Sequence, residues 1–473
     1  MNYLNVHMKK NLLPVLLLVT LSIACRKNPA TSTTVTPVDP VEYNADWTTA
    51  THGNVTPDYA TAYPQETINT IEITIGSANW SAIRSNMTSL YGSDFGSNAG
   101  GPPAPPGSTT SEPNYVDVTL KFNNKTWKNV GFRLKGNSSL TSAWRTGIYK
   151  LPFRLNFDEF EDKYPGVKNQ HFYGFEEMTF SPGFKDQSLI REKITCDIFR
   201  SAGIPAPQTA FYKVYVDIGT GLKYWGVYCS VEVPDDNMIK NQFGEESGNI
   251  YKPESQLNNF DITNFEKKNN DSAADYTDVQ QFVSILNNSL RTSNPAQWRS
   301  NLEAVFNMDH FAKYLAINNA IVNWDTYGIM AHNYYFYNHS TKKLLWIPWD
   351  NNEALSRSPG LTGTGGGGGP GSSALSLTMN EVTSGWPLIR YLADDPVYFQ
   401  KYKDHMKTFN TTIFSQTAME ALIEKYHTLI APHAIAEQAG YTYLTSASSF
   451  NNEKQVLKTH IANRKTLINT FVP

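Results

Sequence analysis

The patterns of apolar residues divide the chain into a strand-rich first half and a helix-rich second half, and this division limits the fold more than any other feature. Before about residue 235, segments that alternate apolar and polar residues predict strands, for example 115–122, with one longer helix over 186–201. From residue 276 onward the spacing is helical, interrupted by a predicted hairpin over 334–347. Runs of strands followed by runs of helices are typical of an α+β fold. We therefore predict an α+β enzyme built of two lobes.

The first 25 residues have the features of a secretory signal. Lys9 and Lys10 precede an apolar run that is too short to span a bilayer, and the run ends in Leu-Ser-Ile-Ala-Cys. This ending resembles a bacterial lipobox, so Cys25 is expected to be the lipidated first residue of a mature protein anchored outside the cytoplasm. An ordinary signal peptide followed by a chance cysteine is the alternative. Arg26 at the next position favours the outer membrane, on a face that the sequence does not fix.

Residues 26–66 are rich in Thr, Pro, Ala and Asn and lack apolar periodicity, so we interpret them as a flexible tether. The folded body is expected to run from 67 to 473. We divide it into an N-terminal lobe, about 67–235, and a C-terminal lobe, about 236–473. The formal net charge of the whole chain, -3, offers no basic surface for nucleic acid, which we exclude as a principal partner.

Oxygen-bearing side chains flank the predicted hairpin. Asp325 follows a helix, Asn333 precedes the first hairpin strand, and Asp350 follows the second. Because a hairpin returns its ends to the same side, these three side chains are expected to converge. Carboxylate and amide oxygens suit Mg²⁺ or Mn²⁺, and protein kinases use an Asp, an Asn and an Asp in this order to orient the attacking hydroxyl and hold metal. Helix and turn caps would explain each residue taken alone.

Upstream, a small-residue turn and a cationic strand can hold phosphate groups. Backbone N–H groups, a hydroxyl and positive charge are supplied there by Gly136, Asn137, Ser138, Lys150 and Arg154. Glu192, in the helix that follows, can tether the phosphate-binding cation. An ordinary hairpin turn and a solvated helix face are the alternatives.

Six sequence blocks in this order resemble the CotH kinase family, named for spore coat protein H: 131–139, 150–157, 186–192, 226–232, 248–253 and 348–350. The resemblance covers about residues 68–430. It implies a bilobal, kinase-like fold and a secreted or surface protein kinase. Such a kinase uses ATP with Mg²⁺ or Mn²⁺ to phosphorylate Ser or Thr of extracytoplasmic proteins.

Position by position, the resemblance assigns Asp325 to the catalytic acid and Asp350 to the metal-binding acid, and Asn333 fits a second metal ligand. It also adds Lys252 to Lys150 and Arg154 as candidates for the cation that contacts phosphate.

One position departs from the family pattern. The family often has a second acid two residues after Pro-Trp-Asp, where this chain has Asn352, and the change concerns the metal site more than the fold. Together with the 13% of aromatic residues, which can stack on carbohydrate or peptide, it leaves a second hypothesis open: a catalytically weak or inactive surface adhesin or binding module. His332 and His339 lack zinc-type partners in the sequence and are interpreted as structural or surface residues.

Overall fold

The structure is a computed structural model that describes residues 40–98, 112–270, 272–356 and 375–473. The predicted signal segment, Cys25 and the first part of the predicted tether lie outside these residues. Within the described ranges, no helix combines the length and the apolar character needed to cross a bilayer.

Seven strands close into a barrel in the order β1-β2-β3-β4-β5-β7-β6. These strands are β1 (Asn69–Thr74), β2 (Val116–Phe122), β3 (Lys125–Leu134), β4 (Phe153–Asn156), β5 (Glu177–Ser181), β6 (Thr209–Asp217) and β7 (Lys223–Val231). Strands β1 and β6 are parallel and close the barrel, with Ile71 opposite Val214, whereas the other neighbours are antiparallel.

Aromatic rings fill the interior of this barrel. The ring of Phe153 stacks on Phe132 at 5.1 Å and on Phe180 at 4.6 Å between centroids, and all three side chains are fully buried. Because successive strand residues point to opposite faces, the neighbouring Arg133 and Arg154 point outward, directly opposite each other on β3 and β4.

A second, four-stranded sheet has the order β11-β10-β8-β9 and shares an apolar cluster with β7 of the barrel. It consists of β8 (Ile250–Pro253), β9 (Phe265–Lys267), β10 (Tyr334–His339) and β11 (Lys343–Pro348). The predicted hairpin is confirmed as β10 and β11, with Tyr334 opposite Pro348. Tyr335 and Trp349 belong to one apolar cluster with Cys229 and Val231 of β7, so the hairpin is fixed relative to the barrel.

Helices surround the two sheets. The short ones are α1 (Pro40–Tyr43), α2 (Thr49–His52), α3 (Tyr59–Ala62), α7 (Asp236–Phe243), α9 (Leu290–Ser293) and α12 (Pro387–Asp394). The longer ones are α4 (Gly76–Tyr91), α5 (Ser138–Thr146), α6 (Arg191–Ser201), α8 (Thr277–Leu286), α10 (Pro295–Glu303), α11 (Met308–Ile321), α13 (Pro396–Thr412), α14 (Gln416–Ala434) and α15 (Ala447–Phe471). Because α6 and α11 are buried along most of their lengths, they join the barrel to the helical half.

The α+β class is confirmed, but the predicted bilobal, kinase-like architecture is wrong. The strands of the first half form a closed barrel, and the second half contributes a sheet of its own. The barrel closes because β1 pairs with β6 rather than remaining a free edge strand, which removes the exposed hydrogen-bonding groups of both strands.

The prediction that residues 26–66 form a flexible tether is wrong for their second half. His52 is fully buried and stacks on Trp127 at 4.3 Å between ring centroids. The carbonyl of Ala62 accepts a 2.6 Å hydrogen bond from the Tyr212 hydroxyl. The segment therefore packs on the barrel. The residues that make these contacts do not recur at a helical or strand spacing in the sequence, so the apolar pattern did not indicate the packing.

Candidate functional site

The ends of the β10–β11 hairpin lie beside the segment that follows α11. The Trp349 N–H donates to the Asn333 carbonyl at 3.2 Å, so Asn333 and Asp350 adjoin the last pair of the hairpin. Asn333 Nδ2 donates to the backbone carbonyl of Asp325 at 2.8 Å and to its Oδ2 at 3.3 Å. The structure therefore brings Asp325, Asn333 and Asp350 together; their chemical roles remain predictions.

A histidine holds the other oxygen of Asp325. His332 Nε2 lies 3.0 Å from Asp325 Oδ1. Burial lowers the pKa of His332, but its hydrogen bond to Asp325 and the charges of Asp325, Asp350 and Glu254 outweigh burial and raise it above its ordinary value. The sequence interpretation treated His332 as structural or surface, and its spacing of seven positions from Asp325 gave no signal of this contact.

Asp350 is exposed and lies near Lys135 at the end of β3 and Lys252 in β8, and we call the space between these residues the cleft. Loss of water and the nearby charge of Asp325 raise its pKa, against the charges of Lys135, His332 and Lys252. Within the described residues, no group donates a hydrogen bond to its carboxylate. Its backbone φ of 54° is left-handed, a conformation that aspartate adopts more readily than most residues other than glycine. The carboxylate of Asp350 is therefore open to a ligand.

Lys135 follows β3 and interacts electrostatically with both Asp350 and Glu192. Burial lowers the pKa of Lys135 to about 8, although the charges of Asp350 and Glu192 act to raise it. Its ammonium lies 5.7 Å from the centroid of the Trp349 ring. The sequence reasoning missed Lys135, although it directly precedes the Gly136 turn.

Glu192, near the start of α6, is 5% exposed. Burial and the charge of Asp350 raise its pKa to about 8, despite a hydrogen bond from the Asn351 N–H at 3.2 Å and the charge of Lys135. Its other oxygen, Oε2, is buried without a hydrogen-bond partner in the described residues. Glu192 therefore interacts electrostatically with Lys135, whereas Lys150 is paired elsewhere.

Lys150 is not in the cleft. Its side chain is fully buried, and its Nζ donates to Glu437 Oε1 at 2.6 Å. The same carboxylate oxygen accepts the Val227 N–H at 2.8 Å. Gly226 has a φ of 120°, and a Cβ there would lie 2.6 Å from Glu437 Oε1, so the site requires glycine. Lys150 as a phosphate ligand is therefore a wrong prediction, because its charge is already neutralised inside the protein.

The other predicted cations are nearer to the cleft. Arg154 pairs with Glu177 at 3.2 Å, and its charge is one cause that lowers the pKa of Lys135. Lys252 in β8 is half-buried and acts electrostatically on both Lys135 and Asp350.

The predicted phosphate turn leads into α5. Gly136, Asn137 and Ser138 are exposed, and Gly136 has a φ of 90°. The Asn137 side chain does not cap the helix, so the N–H groups of the first turn of α5 are open to a ligand.

The donor set fits a divalent ion of the magnesium type. Asp350 offers a carboxylate without a hydrogen bond, and the amide oxygen of Asn333 has no partner in the described part of the chain, while the half-buried Asn352 lies close by. In those same ranges, no three His, Cys, Asp or Glu side chains form a cage that could hold a metal alone. Such a site suits an ion that takes its remaining ligands from water and phosphate, as Mg²⁺ does.

Comparison with known proteins gives two matches. The sequence model of the family described as "CotH kinase protein" matches residues 132–468. The inner spore coat protein H of Bacillus subtilis (strain 168) is 22% identical over 307 residues, which cover 62% of this chain and 77% of that protein. Asp325, Asn333, Asp350, Lys135 and Glu192 all lie inside the range matched by the family.

Proposed function

The chain belongs to the CotH kinase protein family, and from this premise we propose that it is an extracytoplasmic protein kinase that transfers the γ-phosphoryl group of ATP to Ser or Thr of another protein. The observation that carries the proposal is the meeting of Asp325, Asn333 and Asp350, with the charges of Lys135 at the end of β3 and Glu192 in α6 close to Asp350.

Asp325 is the group that orients the acceptor hydroxyl. His332 binds its Oδ1 and Asn333 binds its Oδ2, so the carboxylate cannot rotate freely. The side chain is 22% exposed, which leaves lone pairs open to the cleft. A carboxylate held in this way can accept a hydrogen bond from Ser or Thr and then take its proton.

Asp350 and Asn333 are the residues that would hold Mg²⁺ or Mn²⁺, with Asn352 as a neutral neighbour. A divalent ion bound there supplies positive charge to the phosphate oxygens during transfer. Asn352 contributes no charge, so we expect weaker metal affinity than an acid at this position would give.

Lys135 is the cation that contacts the phosphates of ATP, with the exposed first turn of α5 beside it. Glu192 is the carboxylate that would position Lys135, since the two charges are close enough to interact. Lys252 adds charge from the second sheet.

We further propose that lipidation of Cys25 anchors the enzyme to a membrane outside the cytoplasm, where its acceptors are secreted or surface proteins. The part of the predicted tether between Cys25 and α1 would then link the anchor to the folded body.

Phosphate transfer from labelled ATP tests the proposal. With Mn²⁺ or Mg²⁺ and a Ser-rich acceptor, we expect incorporation that falls at least about 100-fold in Asp325→Asn and in Asp350→Asn. Asp261→Asn is the matched control: Asp261 is exposed, lies outside the cleft and caps a short turn that Asn also caps.

If Asp325→Asn and Asp350→Asn incorporate as much phosphate as the control Asp261→Asn, the mechanism is contradicted. No transfer and no thermal stabilisation by ATP with Mn²⁺, together with binding to glycans or cell walls, would favour the adhesin hypothesis instead.

A further inference from the structure

A cavity of about 160 Å³ lies next to the cleft, between the start of α6 and the segment that follows Asp350. Its lining consists of Phe184, Lys185, Arg191, Asn352, Glu353 and Ser356. Ser356 is the hydroxyl side chain among them, six residues after Asp350.

Lys185 supplies positive charge that has no acceptor. The residue is exposed, its backbone φ of 61° is left-handed, and its ammonium lies 5.3 Å from the Phe184 ring centroid. Within the described residues, no side chain or carbonyl accepts a hydrogen bond from its Nζ. The three N–H groups of this ammonium are therefore open to an anion.

Arg191 is held firmly and still has one free donor. Its Nε donates to Asp186, its Nη1 to the carbonyls of Ala354 and Leu355, and its Nη2 to Glu453 at 2.5 Å. A guanidinium has five N–H groups, so one on Nη2 remains. Through the carbonyls of Ala354 and Leu355, Arg191 already connects the backbone just before Ser356 to the start of α6.

Ser356 is partly exposed, and its hydroxyl donates to the Glu353 carbonyl. The acidic groups near the cavity are Glu353, whose carboxylate is close to Lys185 and Arg191, together with Asp325 and Asp350 in the cleft. Asp186 and Glu453 are already paired with Arg191. The groups at the cavity that remain without a hydrogen-bond partner in the described residues are therefore the Lys185 ammonium and one N–H of Arg191. Glu353 is the one carboxylate of the cavity lining that can offset their charge.

We propose that Ser356 is a phosphoacceptor of this protein's own transfer reaction, and that the phosphoserine pairs with Lys185 and Arg191. This inference rests on the proposed function. Ser356 Oγ forms a bond to the γ-phosphorus of ATP, the bond from that phosphorus to the bridging oxygen breaks, and ADP leaves. The hydroxyl proton passes to the carboxylate of Asp325.

The added phosphate carries about -1.5 to -2 charges and three acceptor oxygens, which match the free donors of the cavity. Its pairing with Arg191 ties the segment after Asp350 more firmly to α6, the helix that carries Glu192. Phosphorylation would in this way stabilise the relative positions of Asp350, Glu192 and Lys135.

Trypsin gives a direct test, because the peptide Leu344–Arg357, LLWIPWDNNEALSR, contains Ser356 as its single hydroxyl residue. The full chain is incubated with ATP and Mn²⁺ in the presence of a Ser-rich acceptor protein, then digested and analysed by mass spectrometry. We expect one phosphoryl group on this peptide in the wild type and none in Ser356→Ala, while Ser356→Ala still labels the acceptor.

The acceptor separates the two possible failures. If the acceptor is labelled and the peptide is not, the inference about Ser356 is overturned and the proposed function stands. If neither is labelled, the proposed function fails and the inference fails with it.

A second measurement tests the pairing of the phosphate. Phosphorylation should raise the thermal midpoint of the wild type by about 1–2 °C and should raise that of Lys185→Met by less, because Arg191 alone then pairs with the phosphate. A wild-type midpoint that does not rise, or an equal rise in Lys185→Met, would overturn the pairing.

Discussion

Lys150 and Glu437 form an ion pair from which water is excluded: Nζ and Oε1 are 2.6 Å apart, and both side chains are 0% exposed. The pair connects the barrel to the loop that follows α14, and Glu437 also accepts hydrogen bonds from the Val227 N–H and the Thr442 hydroxyl. A lysine that resembled a ligand for phosphate is therefore a structural link between the two halves of the chain.

Lys150→Met should lower the free energy of unfolding by about 3–5 kcal/mol, because it leaves the Glu437 carboxylate buried without its cation. Urea unfolding measures the loss. Lys240→Met is the control, since Lys240 and Glu246 form an exposed pair whose removal should change stability by no more than about 0.5 kcal/mol. Similar stabilities for the two variants would show that the Lys150–Glu437 pair is not a structural link.

Lys135→Met should abolish stabilisation by ATP with Mn²⁺ and reduce phosphate transfer about 100-fold, because it removes the cation beside Asp350. Lys150→Met should keep the nucleotide-induced rise of the thermal midpoint while starting from a lower midpoint. Thermal unfolding with and without nucleotide distinguishes the two lysines. The opposite pattern would return the phosphate contact to Lys150.

His332→Ala should lower kcat about 10-fold to 100-fold and leave the KM for ATP nearly unchanged, because His332 restrains Asp325 and not the nucleotide. His332→Gln, which can still donate to Asp325, should recover part of the loss. Steady-state kinetics of both variants provide the measurement. A change in the KM for ATP alone would mean that His332 acts on nucleotide binding instead.

Glu232 should make the protein less stable as the pH rises. Burial raises its pKa from 4.5 to about 7, against hydrogen bonds from Tyr59 and the Gln208 N–H. The folded state therefore binds the proton more tightly, and the stabilisation present below pH 4.5 is lost as the pH increases to about 7, by up to about 3 kcal/mol.

Urea unfolding of the wild type and of Glu232→Gln between pH 4.5 and 8 measures this contribution. The variant should start from a lower stability but lose less of it over the range. Asp235 and Glu176 also have raised pKa values, so the wild type as a whole should lose stability in the same direction. Parallel curves for the two proteins would contradict the assignment to Glu232.

Local patterns allowed much of the site to be predicted from the sequence. The β10–β11 hairpin is formed by adjacent residues, and its geometry alone brings Asn333 and Asp350 to the same end. Asp325 follows α11, whose burial on most faces agrees with its apolar composition. The convergence of these side chains therefore depends on short-range structure, which apolar period and turn residues indicate well.

Long-range pairing explains what could not be predicted. The barrel closes between Ile71 and Val214, and no pattern in either segment names the other as its partner. The same limit affected the choice of cation, since Lys135 and Lys150 both flank barrel strands. Only the packing of α6 and of the loop after α14 decides which lysine meets the cleft carboxyl groups and which meets Glu437.

The central claim is that Asp325, Asn333, Asp350 and Lys135 form one site for nucleotide and metal. A crystal structure with a non-hydrolysable ATP analogue and Mn²⁺ tests it most directly, because the anomalous signal locates the metal. We expect Mn²⁺ within about 2.5 Å of oxygens of Asp350 and Asn333, and Lys135 Nζ within hydrogen-bond distance of a phosphate. A nucleotide bound elsewhere, or a metal that contacts neither Asp350 nor Asn333, would contradict the account.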